Sequence, residues 1–268
     1  MKKPVLALVP SAYKTSIVYS VLPVNGGGDF NLSRSSNATR VNKDELIETV
    51  NSDVPRLDWL NSNCPSLLLE PTRTNYALNS ENTYAMTVIG GSENAIRTAN
   101  YSISPRGSLT ASRLQASVTS GTANYSVVGS STTSYNGYYT ASIYLKSNTG
   151  ENQQVAIYGR NSPIINYTVT KDWKRFSFYG YNSPGQTAYI NVGILEELSN
   201  SNLEIDISLF GVQIEQGNYP TSLITTQSGI VTRGEDVCGD AGNADLFSSN
   251  EGTMFVDIQK TFKDGAFG

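Results

Sequence analysis

The sequence has no histidine, two cysteines, and charged residues at only 16% of its 268 positions. Without histidine the commonest general base and nucleophile activator is missing. Every Ser-His-Asp or Cys-His arrangement goes with it, as do the usual zinc and copper ligands. Only carboxylate or lysine-based chemistry survives. Cys64 and Cys238 lie far apart and outside any metal-ligand spacing, so the plain reading is two free thiols, and no bridge follows from sequence. No segment approaches the length of a membrane-spanning helix. "MKKPVLALVPSAYKTS" imitates a signal peptide, but Pro4 and Pro10 bracket only five apolar residues, shorter than the apolar region of a signal. At a net charge of -4, no basic block or basic–aromatic interleaving marks a nucleic-acid partner. The expectation is a soluble chain that meets neither nucleic acid nor membrane and is not exported by a cleavable signal.

Polarity comes instead from Ser, Thr, Asn and Gln, alongside 16 Tyr and 23 Gly. Such a mixture of β-branched, aromatic and turn-forming residues favours an all-β protein. From about residue 84 to 216 the chain alternates apolar and polar residues. In "GYYTASIYLKS" (137–147), Tyr139, Ala141, Ile143 and Leu145 share one face. "AYINVGIL" (188–195) and "LEIDISL" (203–209) repeat the pattern. Regular short strands between polar turns predict an antiparallel β-sandwich over residues 80–232. Inward positions are odd through Leu209 and then even at Val212 and Ile214, so one extra residue near Phe210-Gly211, a β-bulge, restores a single buried face. Residues 1–79 lack sustained periodicity and read as an extended arm without a core of its own. Residues 233–250 read as a linker. "TMFVDIQKTF" (253–262) restarts an apolar strand pattern, so residues 251–268 read as the first strand of a second β domain.

"FGVQIEQGNYPTSLITTQSGIVTRGEDV" (210–237) resembles the closing segment of a module found in many bacteriophage appendage proteins. There it follows a jelly-roll sandwich similar to carbohydrate-binding modules. "PRLDWLNSNCPSLLLEPTRTNYALNSEN" resembles the usual lead-in, and "GGGDFNLSRSSNATRVNKDELIETV" the segment before it. "YYTASIYLKSNTGENQQVAIYG" and "DWKRFSF" are similar to middle strands of the same module. "EGTMFVDI" resembles the first strand of a concanavalin-A-like or laminin-G-like domain. The resemblance implies a tail fibre, tail spike or head fibre subunit located on the virion, commonly a homotrimer. Its N-terminal arm would dock on other virion proteins, and its sandwich would serve as spacer or glycan-binding module. The expected function is non-enzymatic host attachment. A depolymerase or glycoside hydrolase bearing an accessory sandwich, and a bacterial surface adhesin, are the alternatives.

Sugar C–H faces stack on exposed rings, so tyrosine clusters are where glycan contacts are sought. Tyr135, Tyr138 and Tyr139 cluster in "SYNGYY", and Tyr179 and Tyr181 in "FYGYN". Tyr135, Tyr138 and Tyr181 are the candidates, with Tyr139 read as a strand residue whose hydroxyl reaches the rim. Trp173, entering a strand with Phe176 and Phe178, reads as core, and Trp59 as an anchor for the arm. Arg34 and Arg40 in the polar "RSSNATR" segment, with the apolar triplet Leu67, Leu68 and Leu69, are the expected virion or subunit interface. Glu204 and Asp206 share a solvated strand face, whereas Glu196 and Glu197 point opposite ways if they lie in a strand. No catalytic residue is expected. No cofactor is expected either, although modules of this type often hold a structural calcium ion through loop oxygens; "GEDVCGDAG" and "NADLFSSNEG" lack an EF-type ligand pattern.

Overall fold

The computed structural model describes residues 3–60, 62–121, 124–134, 136–198, 203–242, 245–247 and 251–258. The chain divides into two compact units, one of Thr74–Thr232 and one of Met1–Arg73 with Arg233–Gly268.

In the first of these, period-two alternation becomes ten strands among the described residues. They are β1 (Thr87–Val88), β2 (Asn94–Ile103), β3 (Leu109–Ser117), β4 (Tyr125–Ser134) and β5 (Gly137–Ser147), then β6 (Gln153–Tyr158), β7 (Ile165–Val169), β8 (Lys174–Asn182), β9 (Thr187–Leu195) and β10 (Glu204–Gln216). They form two five-stranded sheets, ordered β2-β3-β10-β5-β8 and β7-β6-β9-β4-β1. Every pairing within them is antiparallel. From β3 onward the chain interleaves the two sheets as β3-β10-β5-β8 and β4-β9-β6-β7, which is the connectivity of a jelly roll. The protein is therefore all-β, and this unit is the antiparallel sandwich that the alternation predicts. Its core joins Tyr139, Ala141, Ile143 and Leu145 of β5 to Ile190, Val192 and Ile194 of β9 and to Ile205, Ile207 and Leu209 of β10.

The bulge lies where the parity change puts it. Ser142 faces Gln213 and Tyr144 faces Phe210, so Gly211 and Val212 share the place opposite Ile143. Gly211 has φ +66, a left-handed conformation that suits glycine. The bulge keeps Val212 and Ile214 in the core, at 1% exposure each. The register of β3 with β10 ends at Leu209, and residues 75–80 take over the free edge. Tyr76 N donates to Ile214 O at 2.8 Å, and Val212 N donates to Ser80 O at 2.9 Å.

After β10, residues 217–227 turn back across the face of the sheet that points away from the core. Gln213 and Glu215, on that face, hold them: Ile224 N donates to Gln213 Oε1 and Thr221 N to Glu215 Oε1, both at 2.7 Å. Asn75 ties the same strap to the sheet, donating to Ile224 O at 2.8 Å and accepting from Ile214 N at 3.0 Å. Arg175 Nη1 donates to Thr221 O. Leu223 and Ile224, within the strap, are buried.

The second unit has a four-stranded antiparallel sheet, ordered Tyr13–Lys14, Ile17–Val18, Phe30–Ser33 and Val237–Gly239. Hairpins pair Ala38–Val41 with Ile47–Val50, and Leu57–Asp58 with Ser66–Leu67. Its apolar core is small, drawing on Val18, Leu32, Ile47, Val50 and Leu57. Beside it lies a buried ionic centre. Asp236 pairs with Arg34 at 2.9 Å and with Arg56, and Glu70 pairs with Arg56 at 2.7 Å and Arg233 at 2.8 Å. Both Cys64 and Cys238 are free thiols.

This partition differs from the reading of residues 1–79 as a coreless arm and 233–250 as a linker. Charged residues from both segments complete one buried centre, which apolar periodicity does not register. Residues 251–258 are exposed and form no strand. Residues 259–268 lie outside the described residues.

Candidate functional site

The β5–β8 pairing sets Tyr138 directly opposite Tyr181 and Thr140 opposite Tyr179. These residues alternate with the core positions of their strands, so their side chains stand on the outward face. The rings of Tyr138 and Tyr181 are edge to face, with centroids 5.1 Å apart. They are 59% and 42% exposed, and Tyr179, two residues along the same face, is 39% exposed. Of the three candidate glycan residues, the structure brings Tyr138 and Tyr181 together; Tyr135 lies outside the described residues. Tyr139 points into the core, and its hydroxyl donates to Arg160 O at 2.8 Å. Burial pushes the Tyr139 phenol well above its ordinary range.

The strap closes the centre of this face. Thr140, Ser142, Gln213 and Glu215 point outward, yet none is more than 2% exposed. Thr140 Oγ1 donates to Gly217 O at 2.9 Å, and Gly217 N donates to Tyr138 O at 3.0 Å, so the strap begins beside the tyrosine pair. Asn218 and Tyr219 follow there. Further along, residues 101–103 cover Ser208, whose hydroxyl meets Ser102 Oγ at 2.8 Å. Sequence reasoning missed this cover because "GNYPTSLITTQ" has no apolar period. The usable signal was the pair Gln213 and Glu215, polar residues at the end of a strand otherwise buried.

The far end of the face carries a groove lined by Asn94, Ile96, Gln115, Glu151, Glu204 and Asp206. Arg113 Nε donates to Asp206 Oδ1 at 2.8 Å, and this bonding holds the Asp206 carboxyl below its ordinary value. Glu204 and Asp206 share the outward face as expected. Glu196 and Glu197 instead occupy a single 3-10 turn, Glu196–Leu198. Among the described residues no group of three or more Cys, Asp or Glu side chains is placed to hold a metal ion.

Trp173 is half-buried, not core. It precedes β8 and has the opposite parity to the inward Phe178, so alternation turns it away from the core. Its indole Nε1 donates to Ile103 O at 3.0 Å, and Lys146 Nζ lies 5.4 Å from its ring centroid. Trp59 packs within its own unit, its ring 5.8 Å from the Arg40 guanidinium.

The expected interface residues divide. Arg34 is 1% exposed and wholly engaged inside its unit, donating to Ser36 O at 2.8 Å and Asn51 O at 2.5 Å besides Asp236. It builds the ionic centre and presents nothing outward. Arg40 is half-buried, donating to Glu48 Oε1 at 2.6 Å and lying over the Tyr13 ring at 5.7 Å. Leu68 is buried at 8%, Leu67 is half-buried, and Leu69 is 47% exposed.

No family model and no curated protein sequence matches the chain. Among solved structures it is similar to TmCBM61 in complex with β-1,4-galactotriose, at 15% identity and TM-score 0.35, covering 52% of this chain and 97% of that one. It is similar to the CBM22-1 xylan-binding domain of Paenibacillus barcinonensis Xyn10C, at 13% identity and TM-score 0.33, covering 57% and 94%. It is also similar to the enzymatically active domain of bacteriophage CBA120 tailspike protein 4, at 15% identity and TM-score 0.33, covering 56% of this chain. The chain spans 21% of that tailspike structure.

Proposed function

We propose that this chain is a non-enzymatic subunit of a phage virion appendage whose jelly roll holds a glycan of the host surface. One observation carries the binding role: two exposed tyrosines, Tyr138 and Tyr181, stand against each other on a sheet face whose remaining centre is sealed. Ring faces carry negative potential, and the C–H groups of a sugar carry partial positive charge, so such rings are natural sugar platforms. The appendage role is supported by the motif resemblance. Asn75, Gly211, Gln213, Glu215 and Thr221, all within the resembling motifs, converge on one buried strap, so the likeness rests on residues that build the fold. In this reading the chain assembles as a homo-oligomer, the trimer its resemblance implies, and weak contacts multiply through effective concentration.

The non-enzymatic reading is supported by the carboxylates. Asp206 is held ionised by Arg113, which suits it to no proton-donor role, and Glu204 beside it shares a solvated face. The test is glycan-array binding of the intact chain beside its Tyr138→Ala and Tyr181→Ala variants. Binding that each variant loses, with melting temperature unchanged, supports the proposal. Absence of signal at millimolar protein leaves the sandwich as a spacer. Release of reducing ends from a bound glycan would overturn the non-enzymatic part.

A further inference from the structure

We propose that the tyrosine end of this face takes the last one or two residues of a neutral glycan, and not a run of polymer. This rests on the glycan-binding reading and specifies its ligand.

The first argument is room. A polysaccharide lying across a sheet needs exposed side chains along the central strands. Here five outward side chains along the middle of β5 and β10 are covered: Thr140, Ser142, Ser208, Gln213 and Glu215 are each at or below 2% exposure. The strap at 217–227 covers one stretch, and residues 101–103 another. What remains open at the tyrosine end is the area of one ring pair, with Tyr179 one strand step of about 7 Å further along. A chain end can rest there; a continuing chain meets the strap that begins at Gly217.

The second argument is charge. Between Asn136 and Thr140, Tyr179 and Ser183, and Gln216 and Pro220 there is no ionisable acid or base other than tyrosine. Asn136, Gln216 and Asn218 are exposed there and offer both donors and acceptors, the complement of sugar hydroxyls. Acidic sugars are usually held by paired arginine bonds. The arginines on this face and beside the tyrosine end are engaged elsewhere: Arg113 with Asp206, Arg175 with Thr221 O and Ser142 Oγ, and Arg160 with Thr187 O and the Tyr189 ring. The groove at the far end carries Glu151, Glu204 and Asp206, which repels an anionic chain.

The experiment is a 15N–1H NMR titration of the intact chain with neutral gluco-, galacto-, manno- and N-acetylglucosamine oligomers of one to six residues. Glucuronate and galacturonate oligomers of matching lengths form the second arm. The expected result is a set of shifts confined to the surroundings of Tyr138, Tyr179 and Tyr181. Affinity reaches its plateau at two residues, and uronates bind about tenfold more weakly or worse. Affinity that keeps rising to six residues, or uronates that bind as well as neutral sugars, overturns this inference and leaves glycan binding standing. No shift with any oligomer brings down the glycan-binding reading itself, and this inference with it.

Discussion

Both carboxylate oxygens of Glu215 are occupied by one residue, Thr221, whose amide donates to Oε1 and whose hydroxyl donates to Oε2, each at 2.7 Å. Gln213 Nε2 adds a third bond to Oε1 at 2.9 Å. Glu215 is 1% exposed and forms no ion pair among the described residues; these donors replace the water it loses. The Glu-to-Thr spacing of the closing motif is thus a latch that holds the strap on the sheet.

Cutting that latch is measurable. Glu215→Ala removes the carboxylate that accepts from the buried Thr221 amide and hydroxyl, and should cost about 3 kcal/mol in urea unfolding. Glu215→Gln keeps one acceptor oxygen and should cost roughly half as much. Equal stability of wild type and Glu215→Ala would mean that the strap is held by its other ties, to Gln213, Asn75 and Arg175, and by burial of Leu223 and Ile224.

The bulge makes a second prediction. At Gly211 a side chain must adopt φ +66, and its Cβ would lie 3.0 Å from Tyr144 Cδ2. Gly211→Ala should therefore lose about 1–2 kcal/mol, the strain of a left-handed residue plus crowding. Gly229→Ala is the control, since no atom lies within 4 Å of a Cβ there, and it should stay within about 0.5 kcal/mol of wild type. Comparable melting of both variants would remove the conformational role assigned to Gly211.

How much of this was legible in the sequence depended on whether burial came from apolar periodicity. Residues 137–147, 188–195 and 203–209 bury one face each, and a period of two reports that directly. The bulge was legible for the same reason, because Leu209 and Val212 break parity. The strap was not, since it is fixed by side chain to backbone bonds from Asn75, Gln213 and Glu215 and not by an apolar stripe of its own. The ionic centre was hidden more deeply. Arg34 and Asp236 are 202 positions apart, and an arginine in a polar segment looks the same whether it faces solvent or a buried carboxylate. The tyrosine clusters were visible as residues, but the pairing of Tyr138 with Tyr181 required the strand register. Trp173 reads as core beside Phe176 and Phe178, but it has the opposite parity to both, and strand alternation sets it on the other face.

The ionic centre predicts an asymmetric mutational response. Asp236 accepts from Arg34, from Arg56, and from the Glu70 amide at 2.9 Å. Asp236→Asn preserves shape but removes the charge facing two buried guanidinium groups, and should cost about 3–5 kcal/mol. Hydrogen exchange is the suitable readout: amide protection of Leu32, Val50 and Leu57 should fall by several orders of magnitude. Retained protection would show that the small apolar core, and not the ion network, holds this unit together.

Asp206 supplies the pH dependence. Hydrogen bonds from Arg113, then from Asn148, hold its carboxyl below the ordinary 3.8 in the folded state, against a smaller opposing effect of burial. A depressed folded value means that the unfolded chain binds the proton more readily. The contribution of Asp206 is therefore fully present above about pH 5 and is lost as pH falls below 3.8 through the depressed folded value. Both partners are partly exposed, 24% for Arg113 and 21% for Asp206, so screening keeps the effect modest. Asp206→Asn should lower the melting temperature at pH 7 and narrow its gap from wild type steadily as pH falls below 4. Raising the salt concentration at pH 7 should narrow the same gap. A gap independent of both pH and salt would assign the cost of the substitution to lost packing and lost hydrogen-bond geometry instead of to charge.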